Sequence, residues 1–182
     1  MDAIEMIKER RSIRKFKNEK VDRELMKEIV DIAKWAPSWV NYQIARYTLV
    51  DDEEIIKEIA EHGVNGFVYN IDTLRTAKGV AVLSFVKGKS GTYDKEYITS
   101  KGNSWEVFDA GIACQTFCLA AHAKGVGTCI MGVIDDKSIA KIVNLPEDET
   151  VAALIVYGYE DGEHAAPNKR KDVDEIMRFV DR

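Results

Sequence analysis

The stretch SWEVFDAGIACQTFCLAAHAKGVGTCIM, residues 104–131, decides the fold. Val107, Phe108, Ala110, Ile112, Ala113, Phe117, Leu119, Ala120 and Ala121 leave a helix over 104–124 apolar on most sides. Such a helix belongs in a core or a subunit interface. Gly125 ends it, and 126–131 reads as a short strand. Working outward, Gly79-Val80-Ala81-Val82-Leu83-Ser84-Phe85-Val86 is a continuous apolar run, the pattern of a strand covered on both faces. Residues 151–157 have no polar face either and read as a central strand, and 46–50 reads as another. Short helices are expected over 2–9, 22–36, 52–62, 136–143 and 173–180. The second is the best marked: Asp22 caps it, Val21 and Met26 have staple spacing, and Pro37 stops it. Residues 63–78 read as irregular, and 87–103 as a long surface segment or lid. The expectation is a single α+β domain over 1–182, with a mixed central sheet of about four to five strands flanked by helices around the long buried one.

Composition narrows the function classes. The chain has 182 residues, 46% of them apolar, and a formal charge of −5 from 26 basic and 31 acidic side chains. An acidic balance argues against nucleic acid as a partner. No apolar run approaches the roughly 20 residues that span a bilayer, so no membrane partner is expected. The start lacks a signal-peptide pattern. Three cysteines, an odd number, then read as reduced thiols in the cytoplasm.

Against that acidic background, Arg10-Arg11-Ser12-Ile13-Arg14-Lys15-Phe16 concentrates four cations and a hydroxyl. Arg10 and Arg14 share a face if the segment is helical; Arg10, Ser12 and Arg14 share one if it is extended. Either geometry aims two guanidinium forks at one point, which suits a phosphate. The alternative is a solvated basic helix end. Two more segments have compatible chemistry: Ala36-Pro37-Ser38-Trp39-Val40-Asn41-Tyr42-Gln43, rich in hydrogen-bonding groups, and Gly125-Val126-Gly127-Thr128-Cys129-Ile130-Met131-Gly132. A fourth is Asn168-Lys169-Arg170-Lys171.

Together these segments, in this order, resemble the FMN-dependent nitroreductase family over nearly the whole chain. The matches are Arg-Arg-Ser-x-Arg-x-Phe at 10–16, Ala-Pro-Ser-x-x-Asn-x-Gln at 36–43, the start of a central helix at 109–115, the turn and strand at 125–129, and a closing strand and basic pair at 156–159 and 170–171. The pattern departs at Ile44 and Ala45, where the family often has proline and an aromatic, and at Asp172, where proline commonly follows the basic pair. The resemblance implies an intertwined homodimer holding FMN at its subunit interface. It implies Arg10 and Ser12 on the phosphate, joined by Arg170 with Lys169, Arg11 among the cofactor-binding residues, and Arg14 on the pyrimidine edge of the flavin. Pro37, Ser38 and Asn41 would approach from the partner subunit, the amides of Asn41 and Gln43 could bond the ring's carbonyl and N–H groups, and Ile130, Met131 and Gly132 would run past the ring. It implies NADH or NADPH as electron donor and a small organic acceptor such as a nitroaromatic or quinone. No catalytic side chain is required, because the cofactor carries the electron chemistry.

Other readings use the same residues. Trp39 and Tyr42 serve equally as walls over a ring or as core. Cys114 and Cys118 lie one helical turn apart, but no further Cys or His pair completes a metal site, so buried thiols are the expectation. An FMN-binding protein without reductase turnover, whether sensor, carrier or flavin-processing enzyme, fits the flavin motifs as well. An interaction module would retain no flavin at all.

Overall fold

The computed structural model describes residues 2–164 and 166–181. In chain order the elements are α1 (Ala3–Glu9), α2 (Arg23–Ala33), a 3₁₀ turn (Trp39–Asn41), β1 (Ala45–Val50), α3 (Glu53–His62), α4 (Val68–Thr76), β2 (Gly79–Val86), β3 (Thr92–Tyr93), β4 (Glu96–Tyr97), α5 (Ser104–Ala123), β5 (Gly127–Met131), α6 (Asp136–Ile142), β6 (Glu149–Gly158) and α7 (Val173–Ile176). The main sheet has the order β1-β2-β6-β5, with every neighbouring pair antiparallel. A parallel bridge from Ser12 to Thr128, alongside β5, makes the sheet mixed.

Alternation along the two central strands explains the layers. Val80 and Val82 of β2 join Leu154 and Val156 of β6 in a core shared with α3, α4 and α6. Ala81, Leu83 and Phe85 join Ile155 and Tyr157 in a second core, shared with α2 and α5. Both faces of the sheet are covered, so β2 and β6 carry no polar stripe. Each fully buried aliphatic or aromatic side chain here contributes about 1.5–3 kcal/mol. On α5, Phe117, Cys118 and Ala121 are buried to the core, and Tyr47 of β1 stacks on Phe117 with ring centres 5.2 Å apart.

Two expectations need correction. Residues 63–78 are not wholly irregular, because α4 occupies Val68–Thr76. Its N-terminus has no side-chain cap and it buries only Thr73 and Leu74, so it lacks both signals by which a helix is read. The last helix shrinks to the single turn of α7, after which Met177 is extended. Val173, Ile176, Phe179 and Val180 stay exposed, so nothing apolar rewards a longer helix. Residues 87–103 are a largely exposed surface segment that carries the β3–β4 hairpin, with Ser90 and Thr92 buried at its base.

Candidate functional site

Two glycines seat the basic motif. Gly127 of β5 and Gly158 of β6 are cross-strand partners. A Cβ on Gly127 would lie 2.8 Å from Ile13 Cγ1, and one on Gly158 would lie 2.9 Å from Phe16 Cδ1. The bare strip left by the two glycines is therefore filled by Ile13 and Phe16, both buried. Backbone bonds fix the register: the Ile13 N–H donates to Thr128 O at 2.9 Å and the Lys17 N–H to Tyr159 O at 2.8 Å. The motif is thus extended rather than helical. With Ile13 and Phe16 turned into the core, its polar residues are left outward.

Those residues line a cavity of about 380 Å³ together with the segment after β6. Arg10, Arg11, Ser12, Arg14 and Lys15 form one wall; Pro167, Asn168 and Arg170 form another. The two ends of the chain thus meet at one place. Five cationic side chains face three carboxylates, Glu160, Asp161 and Glu163. Lys15 pairs with Asp161 at 3.3 Å, and His164 bonds Glu160 at 3.0 Å. Arg10, Arg14 and Arg170 have no carboxylate partner among the described residues, so three guanidiniums keep donors free. Arg11 is differently occupied: its Nη1 donates to Lys8 O at 2.5 Å and Arg10 O at 3.0 Å, closing the end of α1. Its Nε is buried without a partner. Lys169 is exposed and is absent from the cavity wall, where Asn168 and Arg170 stand.

Behind this cavity His122 of α5 shares a smaller space of about 220 Å³ with Arg10 and Arg11. Its Nε2 is buried and unpartnered. Burial first, and then Arg10, holds its pKa below the ordinary imidazole value, favouring the neutral ring.

Pro37, Ser38 and Gln43 line a separate groove of about 280 Å³, with Tyr47, Asp109 and Ala113 as its floor. The turn above it is strained. Val40, Asn41 and Gln43 have φ of 46°, 55° and 49°, a left-handed region that costs non-glycine residues about 1–3 kcal/mol each. Side chains hold it there: Ser38 Oγ accepts from the Gln43 N–H at 2.8 Å, and Asp109 Oδ2 accepts from the Trp39 N–H at 2.9 Å. Asn41 is exposed and borders neither space. Ile130 and Gly132 are exposed at the end of β5, with Met131 buried between them, and none of the three lines either cavity. A Cβ on Gly132 would meet nothing within 4 Å, leaving open backbone for close approach.

Cys114, Cys118 and Cys129 are free and buried. Burial raises the Cys129 thiol. In the neighbouring pair, a bond from Cys114 lowers Cys118 and raises Cys114. No cluster of three or more His, Cys, Asp or Glu side chains suited to a metal occurs among the described residues. No helix among them is long and apolar enough to cross a membrane.

Lys15 and Asn168 are further wall residues, and both stand inside the basic segments at 10–16 and 168–171. Glu106 and Asp109 are buried acids that belong to no cofactor motif. Two acids in an otherwise apolar helix were the available signal, since a buried carboxylate needs dedicated donors.

Residues 7–159 match the family model described as Nitroreductase family. A putative NADH dehydrogenase/NAD(P)H nitroreductase from Methanothermobacter thermautotrophicus is 29% identical over 163 residues, covering 87% of this chain and 78% of that protein. Among solved structures, an FMN-dependent nitroreductase from Clostridium difficile superposes with a TM-score of 0.77 at 28% identity, covering 97% of this chain and 98% of that one. A putative nitroreductase from Exiguobacterium sibiricum, solved in complex with FMN, gives 0.84 at 23% identity, covering 99% and 98%. That second likeness speaks to the fold.

Proposed function

Since the chain belongs to the nitroreductase family, a family of oxidoreductases, we propose that it is an FMN-dependent NAD(P)H oxidoreductase acting on a small organic acceptor. The observation that carries this reading is the meeting of Arg10, Arg14 and Arg170 at one cavity with Ser12 between them. Guanidiniums without carboxylate partners suit the doubly charged phosphate of FMN, and the cavity size is within the range of cofactor sites. Arg10 and Arg170 would clamp the phosphate, with Ser12 donating its hydroxyl. Arg14, one exposed step along the extended strand, would reach the pyrimidine edge, where its charge offsets electron density. Gly132 offers backbone N–H to a flat ring with no side chain in the way. Held by Arg10, Ser12, Arg14 and Arg170, FMN would supply the electron-transfer chemistry between a nicotinamide donor and the acceptor.

The 36–43 turn would complete the site from a second subunit, because its groove shares no wall with the arginine cavity. Support for a homodimer comes from α5. Val107 and Phe108 are 59% and 58% exposed on an otherwise apolar helix. Gly111, one turn on, has open space where a Cβ would be. A glycine inside a helix costs about 1 kcal/mol against alanine, and it suits the close approach of another helix. The three unpaired thiols fit a reducing compartment such as the cytoplasm.

The test is anaerobic addition of NADH or NADPH to the FMN-loaded protein. Loss of visible flavin absorbance with at least one donor, and its return on adding a quinone, is the expected result. Flavin that stays oxidised with both donors would make the chain a flavin holder without reductase turnover.

A further inference from the structure

Asp109 lies in the second turn of α5 and is 4% exposed. It has no salt-bridge partner among the described residues, so its charge is met by hydrogen bonds alone. One oxygen, Oδ2, accepts both known bonds: from the Trp39 N–H at 2.9 Å and from Ser90 Oγ–H at 2.5 Å. These donors belong to different units. Trp39 opens the strained 38–43 turn, and Ser90 anchors the base of the β3–β4 hairpin. One helical turn earlier, buried Glu106 repeats the device on the hairpin alone. Its Oε1 accepts from the Gly88 N–H at 2.5 Å and from Tyr97 Oη–H at 3.0 Å. A further tie runs directly between the units, from Trp39 Nε1–H to Thr92 O at 3.3 Å.

A turn with three left-handed non-glycine residues does not hold that shape by preference. A buried carboxylate, in turn, is tolerated only with fixed donors. Each supplies what the other lacks. We infer that Asp109 is a positioning residue, which locks the 38–43 turn and the 88–97 hairpin to a single carboxylate oxygen so that the two move as one wall of the substrate space. The structural half of this stands on the hydrogen bonds; its consequence for the reaction rests on the reading of 36–43 as a flavin-facing turn.

Hydrogen–deuterium exchange of the full-length chain tests it. Asp109→Ala is expected to speed exchange about ten- to a hundred-fold in both 36–45 and 87–98, the loss expected for charge-assisted bonds, with β2 and β6 unchanged. Asp109→Asn keeps a carbonyl oxygen of the same shape and should recover most of the protection. Acceleration in only one segment, or an asparagine variant as loose as the alanine one, would overturn the proposal. Should Asp109→Ala also lose protection in the sheet, Ser90→Ala decides: it leaves the turn and Asp109 intact, so faster exchange at 36–45 reads the linkage alone, and unchanged exchange there overturns it. In FMN-loaded protein, Ser90→Ala should raise the KM for menadione several-fold more than it lowers kcat; an unchanged KM would reduce Asp109 to a structural tie. The exchange result does not depend on bound flavin, so its failure is separate from failure of the flavin reading.

Discussion

Arg10→Ala is expected to weaken FMN binding about ten- to a hundred-fold, because one charge-assisted hydrogen bond to a phosphate contributes about 1.5–3 kcal/mol. Arg10 lines the 380 Å³ cavity and carries no carboxylate partner among the described residues, so its donors are free for a ligand. Arg11 is the internal control. Its guanidinium is already committed to Lys8 O and Arg10 O. Arg11→Ala should therefore loosen the end of α1 more than it releases FMN. Quenching of flavin fluorescence on titration measures both. Equal affinity for FMN in the Arg10→Ala and unaltered proteins would remove Arg10 from the anchor.

Phe16→Ala should have the largest effect on stability, a loss of about 3–5 kcal/mol, as for other buried aromatic truncations. Phe16 is 4% exposed and belongs to the core on the α3, α4 and α6 side of the sheet. It also covers Gly158, which has no side chain to fill the space left behind. The motif is tied on at both sides of it, through Ile13 to Thr128 and Lys17 to Tyr159. Losing the aromatic ring frees the strand that presents Arg10, Ser12 and Arg14. Urea unfolding would read the stability loss, and FMN affinity should fall in parallel although Phe16 lies in the core, away from the cavity wall. A loss below about 1 kcal/mol would mean that the motif is held by its backbone bonds alone.

Much of this arrangement is legible in the sequence, and the reason is burial. The runs at 79–86 and 151–157 are apolar without alternation because helices cover both faces of β2 and β6. The central helix is apolar on most sides because one side meets the sheet, while Val107 and Phe108 stand exposed on another. The basic motif is legible because Arg10 and Ser12 must project away from Ile13 and Phe16. What sequence does not convey is tertiary compensation. The left-handed Val40 runs against the preference of a β-branched residue, and the turn that holds it is tied by Ser38 within and by Asp109, 70 positions beyond Trp39. The seat for Phe16 depends on Gly158, a glycine that in sequence resembles any strand end. The helix α4 lacks a cap and a marked apolar face, so local signals could not announce it.

The central claim is that arginines from both ends of the chain hold a phosphate. Riboflavin and FMN differ by that group alone, so comparing their affinities for the unaltered protein tests it most directly. FMN should bind at least about ten-fold more tightly, with the advantage shrinking in Arg10→Ala and Arg170→Ala. Equal affinity for the two flavins would contradict the account.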